Sequence, residues 1–303
     1  MSAALIAIDW GTSSARAYWL DIRGDIVRTA TAPLGVQKVP PQGFPNALTA
    51  LLGATPDPSV PMIACGMIGS RQGWVEAPYC DCPADAASIA SALTMVPGVR
   101  LAIVPGLTCR DPSGVPDVMR GEETQILGAL GGSPEPLRVV VLPGTHSKWA
   151  IVRDTTIETF STFLTGELFA VLREHSILGR LAAPGDDATA LERGLRRSLE
   201  DDASLPRDLF SARTLALAGE LAPSAVGDYL SGLLLGAELA AGRRWLQRQR
   251  VMGESVHLIG DAVLCDRYRK AFALAGLRAI LGPADAAARG LWRIAQQAKV
   301  ISA

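Results

Sequence analysis

Short apolar runs alternate along the chain with stretches of helical period, the pattern of a sheet covered by helices. Leu5 to Ile8 reads as a buried strand, a polar turn follows, and Ala15 to Leu20 reads as the next strand. Met62 to Cys65 ends at Gly66, and Leu101 to Val104 ends at Pro105-Gly106, so both read as strands stopped by breakers. Gly121 to Leu130 reads as a helix with Glu122 and Glu123 in its first turn, where negative charge suits the helix end. Gly131 to Pro136 (GGSPEP) is the clearest breaker cluster. It predicts two domains, residues 1–132 and 137–303.

The second half restarts in the same way. Arg138 to Leu142 reads as a strand, Pro143 to Lys148 as a polar turn, and Trp149 to Val152 as a strand. Thr165 to Leu178 has helical period, and Gly185 to Trp245 is helical throughout. Leu191, Leu195 and Leu199, and then Val226, Leu230, Leu233, Leu234 and Ala237, form apolar stripes that read as packing faces. Val256 to Ile259 is one more strand, leading through Gly260-Asp261 into a helix for which Gly276 is the expected C-cap.

The two restarts are a repeat of sequence. Ile6–Asp21 (IAIDWGTSSARAYWLD) lies over Val139–Asp154 (VVVLPGTHSKWAIVRD). Gly11 falls on Gly144, Thr12 on Thr145, Ser14 on Ser147, Ala17 on Ala150 and Asp21 on Asp154. Each copy reads as strand, G-T-x-S turn, strand, then a turn at Asp. A duplicated α/β fold with its two turns facing one another is the expectation.

Composition narrows the class. The 303 residues are 49% hydrophobic and 19% charged, too core-rich for a disordered chain. Twenty-nine Lys+Arg against 30 Asp+Glu give a net charge of −1, which excludes the basic surplus of a nucleic-acid binder. Mean hydropathy is +0.23, yet the longest apolar stretch, around Leu230 to Ala241, is broken by Glu238 and is too short to span a bilayer. Met1 to Ile8 lacks a basic flank and runs into Asp9, so no signal peptide is expected. Five cysteines (Cys65, Cys80, Cys82, Cys109, Cys265) without a C-x-x-C pair, and scattered histidines, read as reduced thiols of a cytoplasmic protein.

A Gly-Thr-x-Ser hairpin presents backbone N–H groups and hydroxyls at its tip, a cradle for an oxyanion. Two such turns would hold a polyphosphate, with Gly11, Thr12 and Ser13 on one side and Gly144, Thr145 and His146 on the other. Lys148 is a further candidate for positive charge there. Asp9, ending the first strand, suits Mg²⁺. The chain holds neither G-x-x-x-x-G-K-[ST] nor a G-x-G-x-x-G after a strand, which excludes a P-loop and a dinucleotide fold.

These hairpins resemble the phosphate motifs of the actin, sugar kinase and Hsp70 superfamily. Leu258-Ile259-Gly260-Asp261, followed by a helix, resembles its adenosine motif. Four longer stretches are similar to the 2-dehydro-3-deoxygalactonokinase family: GMIGSRQGWVEAPY (66–79), MRGEETQ (119–125), LPGTHSKW (142–149) and TGELFAVLREHSILG (165–179). The resemblance implies two ribonuclease H-like (actin-like ATPase) domains with a cleft between them and a helical segment in the second. It implies a kinase using ATP and Mg²⁺ to phosphorylate 2-dehydro-3-deoxy-D-galactonate on its 6-hydroxyl.

Roles follow from both readings. Glu122 is the expected base, since MRGEETQ is similar to a GEE-type segment of related phosphohydrolases; Glu123 and Asp117 are its rivals. Arg71 suits the carboxylate of the sugar acid, because a guanidinium binds carboxylate bidentately. Ser70, Gln72 and Trp74 are its neighbours, and pairing with Glu76 is the other account of Arg71. Gly260 and Asp261 are the adenosine candidates, Asp261 serving equally well as a helix N-cap. Arg16 is expected on the opposite face from Ala15, in a supporting role. Glu167 and His175 share a helix and read as stabilising it. A phosphohydrolase on the same fold, or a non-catalytic actin-like nucleotide switch, are the alternatives to a kinase. Small molecules, not nucleic acid or membrane, are the expected partners; the galacto or gluco preference and the oligomeric state are not legible.

Overall fold

The computed structural model describes residues 3–55, 57–131, 136–200, 202–251 and 255–301. In chain order the first elements are β1 (Leu5–Trp10), β2 (Ala15–Leu20), β3 (Ile26–Ala32), α1 (Phe44–Leu52), β4 (Met62–Cys65), β5 (Tyr79–Asp81) and α2 (Ala86–Ser91). Next come β6 (Thr94–Met95), β7 (Leu101–Ile103), β8 (Gly106–Arg110), β9 (Pro116–Met119) and α3 (Glu122–Ala129). Then follow β10 (Leu137–Leu142), β11 (Ser147–Arg153), β12 (Thr156–Phe163), α4 (Thr165–His175), α5 (Ala188–Leu199), α6 (Leu205–Leu217) and α7 (Val226–Arg248). The chain closes with β13 (Ser255–Leu258), α8 (Ala262–Leu274), β14 (Arg278–Leu281) and α9 (Ala286–Gln297).

Two compact units form. The first comprises Met1–Leu137, Ala150–Phe160 and Gly282–Ala303; the second comprises Arg138–Trp149 and Ser161–Leu281. They are interleaved in sequence, unlike the contiguous halves 1–132 and 137–303. The breaker cluster that suggested those halves lies at 132–135 outside the described residues. The C-terminal helix α9 belongs to the first unit because its apolar stripe (Ala287, Leu291, Ile294, Ala295) is buried there, and it packs on β1, β4 and α3. Gly128 and Gly290 let α3 and α9 cross closely: a Cβ on either would stand 1.8 Å from the other helix's backbone. No local pattern reveals a partner so far along the chain.

In the first unit a six-stranded sheet runs β3-β2-β1-β4-β7-β6. β1 pairs antiparallel with β2 and parallel with β4. Ile6, Ile8 and Trp10 face one core with Phe44, Leu48 and Ile68, so strand alternation puts Asp9 on the other face. A separate three-stranded sheet runs β5-β8-β9.

A five-stranded sheet runs β12-β11-β10-β13-β14. Its order repeats β3-β2-β1-β4-β7 position for position, with the parallel pairs β10–β13 and β13–β14 matching β1–β4 and β4–β7. The repeat of letters is therefore a repeat of fold. Within the second unit α5 and α7 pack through glycine: Cβ atoms on Gly194 or Gly232 would stand 2.2 Å from the facing helix's carbonyl oxygens. Of the stripes read from the sequence, Leu191 and Leu195 on α5 and Val226, Leu230, Leu233 and Leu234 on α7 are buried, Leu230 and Leu234 against Leu168, Phe169 and Leu172 of α4, while Leu199 and Ala237 are half-buried.

Candidate active site

In the first unit, four polar residues gather at the end of β1. Antiparallel register sets Asp9 opposite Arg16, and parallel register sets it beside Cys65, whose thiol donates to Asp9 Oδ1 at 3.9 Å. Burial pushes the Asp9 carboxyl above the usual carboxylate range; Arg16 works against this and the Glu122 charge adds to it. That Glu122 acts on Asp9 at all is the work of two glycines. Gly66 (φ +91°) and Gly121 (φ +107°) hold left-handed backbone that L side chains rarely adopt. A Cβ on Gly121 would lie 3.0 Å from the Gly66 Cα, so the start of α3 rests on the end of β4.

The two adjacent glutamates part company here. Glu123 is fully buried; its Oε2 accepts from the Gly121 N–H at 2.7 Å and its Oε1 from the Thr124 hydroxyl at 2.9 Å. Burial, with Glu122 beside it, pushes its carboxyl up to about 8. Glu122 stays half-buried and accepts from the Arg120 N–H at 3.0 Å. Ahead of them the first turn is closed by Gly11 N–H donating to Ser14 O at 2.9 Å. Its carbonyls at Gly11 and Thr12 are taken by the N–H groups of Val36 and Gln37, and Thr12, Ser13 and Ser14 are exposed at the tip.

In the second unit, the matching turn borders a cavity of about 820 Å³. Gly144, Thr145, Gly166, Asp261, Arg267 and Tyr268 are among its walls. The first turn of α4 sits directly on the turn: Glu167 N–H donates to Thr145 O at 3.0 Å, and a Cβ on Gly166 would stand 2.4 Å from Gly144 O. His146 Nε2 meets Glu167 Oε2 at 2.5 Å, both half-exposed. Next to Pro143, Gly260 adopts φ +144°, and the following residue, Asp261, lines the cavity and caps α8, accepting from Val263 and Leu264 N–H at 3.0 Å each. Arg267 is fixed to buried Asp228 at 2.8 Å.

The family model for 2-keto-3-deoxy-galactonokinase matches residues 9–294. The chain belongs to this family. It is 38% identical over 301 residues to "Probable 2-dehydro-3-deoxygalactonokinase DgoK1" of Rhizobium meliloti (strain 1021), covering 94% of this chain and 97% of that one. Identity to the 2-dehydro-3-deoxygalactonokinase of Escherichia coli (strain K12) is 37% over 277 residues, with 91% of each covered. The solved structure "Crystal structure of a putative 2-dehydro-3-deoxygalactonokinase protein from Sinorhizobium meliloti" superposes with a TM-score of 0.86 at 36% identity, covering 96% of this chain and 98% of that one. The activator of the 2-hydroxyisocaproyl-CoA dehydratase from Clostridium difficile shares the fold alone, with a TM-score of 0.54 at 13% identity over 99% of each chain. The fold is that of the actin-like ATPases and sugar kinases.

Within this 2-keto-3-deoxy-galactonokinase scaffold the other candidates take varied places. Arg71 is 87% exposed at its side chain and pairs with Glu76 at 3.0 Å. Gln72 is exposed beside it, while the Ser70 hydroxyl is buried with no hydrogen-bond partner among the described residues. Trp74 stacks on Phe44 at 5.9 Å, tying this loop to the core. Lys148 is buried in β11, on the face opposite Ser147 and Trp149. Asp117 sits on β9 opposite Cys109, in the three-stranded sheet. His175 is the last residue of α4, and Glu167 turns instead to His146.

The supporting place expected for Arg16 becomes specific in the register: with Gly11–Ser14 as the hairpin loop, Trp10 pairs with Ala15 and Asp9 with Arg16. One residue is not legible in the sequence. Arg120 lies buried beneath the 66–79 loop, donating to Ala77 O at 2.8 Å with its guanidinium 4.3 Å from the Tyr79 ring centre. No local signal marks it, because its partners come from a distant loop.

Proposed function

We propose that the chain is an ATP-dependent 2-dehydro-3-deoxygalactonokinase that phosphorylates 2-dehydro-3-deoxy-D-galactonate on its 6-hydroxyl, a step of galactonate catabolism. The observation that carries this reading is family membership along residues 9–294, together with a carboxylate pair, Asp9 and Glu122, at the end of β1. The family match favours neither a phosphohydrolase nor a nucleotide switch.

Phosphoryl transfer asks mainly for positioning and charge neutralisation. Glu122 accepts the proton of the 6-hydroxyl as the new O–P bond forms and the bond from the γ-phosphorus to ADP breaks. It suits the task because it is half-buried, whereas Glu123 is sealed in and spends both oxygens on neighbours. Arg71, loosely held by an exposed ion pair, exchanges Glu76 for the carboxylate of the sugar acid. Ser70 and Gln72 offer polar partners to its hydroxyls, and Trp74 anchors the loop. The cavity of the second unit takes ATP, with Gly260 and Asp261 toward the adenosine and Gly144, Thr145 and His146 toward the phosphates. Gly11, Thr12 and Ser13, on the first unit's own turn, offer N–H groups and hydroxyls suited to a phosphate.

Asp9 and the nearby Glu122 charge fit a divalent cation. Among the described residues no three His, Cys, Asp or Glu side chains gather as a metal cage. Mg²⁺ is ordinarily held by one or two carboxylates plus phosphate oxygens and water. Asp9 would hold it, and it would neutralise phosphate charge. Arg16, set opposite Asp9, works against the effect of burial on its carboxyl.

Among the described residues no helix is long and apolar enough to cross a membrane, and the five cysteines are free, which supports a cytoplasmic setting. Product analysis tests the reading. ATP and 2-dehydro-3-deoxy-D-galactonate should yield a monophosphate whose phosphorus couples to the C6 protons in NMR. Inorganic phosphate as the sole product would overturn it in favour of a hydrolase.

A further inference from the structure

The longest apolar stretch of the chain carries one carboxylate, Glu238. A buried carboxylate is strongly unfavourable unless donors meet it. Glu238 is 3% exposed on α7, and three donors do. The Ser147 hydroxyl and the Trp149 indole N–H both reach Oε1, at 2.7 and 2.8 Å, and the Tyr268 hydroxyl reaches Oε2 at 2.7 Å. These donors belong to two structures with separate tasks. Ser147 and Trp149 open β11 directly after the Gly144–His146 turn, while Tyr268 lies on α8 and lines the cavity. Ser147 is also the residue that the internal repeat matches to Ser14, and its hydroxyl is committed inward. One turn along α7, a Cβ on Gly242 would stand 2.6 Å from the Trp149 ring, so helix and strand are in close contact.

We propose that Glu238 is a positioning residue for nucleotide binding. One oxygen fixes the phosphate turn and the other fixes the cavity wall, so that a nucleoside triphosphate engages both at once. This rests on the nucleotide reading of the second unit. The chemistry also says which substitution should be tolerated. Indole N–H is a donor only, so a Gln at 238 must turn its carbonyl to Ser147 and Trp149 and its NH₂ to Tyr268, whose oxygen can accept. Leu at 238 keeps the volume and loses all three bonds.

The experiment is calorimetric titration of Glu238→Leu, Glu238→Gln and Ser147→Ala with ATP and, separately, with adenosine, alongside KM for both substrates. Glu238→Leu should weaken ATP roughly tenfold or more, the worth of a hydrogen bond to a charged group. Glu238→Gln should restore ATP affinity to within about threefold; adenosine should weaken less than ATP in Glu238→Leu and change less than about threefold in Ser147→Ala. KM for the sugar acid should stay as in the unmodified chain. Unchanged ATP affinity in folded Glu238→Leu, or adenosine weakened as much as ATP, overturns the proposal. Should Glu238→Leu fail to fold, Ser147→Ala decides by the same contrast: ATP weakened severalfold with adenosine unaffected supports it, and equal effects overturn it. An unmodified chain that binds no ATP would instead overturn the nucleotide reading itself.

Discussion

Gly121 rests on Gly66 with so little room that a methyl group on the former would stand 3.0 Å from the Cα of the latter. This crossing of two left-handed glycines, at φ +107° and +91°, seats the first turn of α3 against the strand ends that carry Asp9 and Cys65. The base and the metal carboxylate of the proposed site are neighbours because of it.

Gly121→Ala should therefore damage chemistry more than binding. A side chain there strains the backbone and lifts Glu122 away from Asp9. A displacement on the order of 1 Å can cost about 100-fold in rate. We expect kcat to fall by about that factor with ATP affinity within about twofold of normal. Steady-state kinetics alongside ATP titration checks this; an unchanged kcat would count against the seating of Glu122.

Glu122→Gln keeps the shape and the bond from the Arg120 N–H while removing basicity. Turnover should drop by about 10²- to 10⁴-fold, the usual worth of a positioned acid or base. Asp117→Asn, on the separate three-stranded sheet, should leave turnover near normal. The reverse pattern in single-turnover assays would move the base to Asp117.

Glu123 predicts a pH dependence of stability. Its carboxyl rises from 4.5 to about 8 on folding, so between those values the folded chain holds a proton that the unfolded chain has released. Stability must then fall as pH rises from about 4.5 to about 8 and level off above. Glu123→Gln, a neutral mimic of the protonated side chain, should flatten that slope and raise the melting temperature at pH 8. Thermal melts across the range check it; a variant with the parent's slope would show that Glu123 is ionised in the fold.

The hairpin strands, the α3 start and the α5–α7 stripes were legible because each is a contiguous run with a clear period and an abrupt stop. β3 was not, since most of its residues are exposed and its sequence, IVRTATA, offers weak contrast. The membership of α9 in the first unit was hidden by its distance along the chain from β1. At the site, the turns and the acids could be read, but not which acid does what. Glu122 and Glu123 are adjacent, and only the packing of α3 decides that one is sealed and the other accessible.

Arg71→Ala removes an exposed ion pair worth about 0–1 kcal/mol, so the melting temperature should barely move. KM for the sugar acid should rise roughly tenfold or more with KM for ATP unchanged, as expected for loss of a bidentate carboxylate contact. Equal increases in both would assign Arg71 a role outside acid recognition.

The most direct measurement is ADP release, followed with and without 2-dehydro-3-deoxy-D-galactonate and across a panel of related keto acids, in the presence of Mg²⁺. The account predicts ADP formation that requires the acid acceptor, saturates with it and disappears in Glu122→Gln. ATP turnover indifferent to every keto acid, or undiminished in that variant, would contradict it.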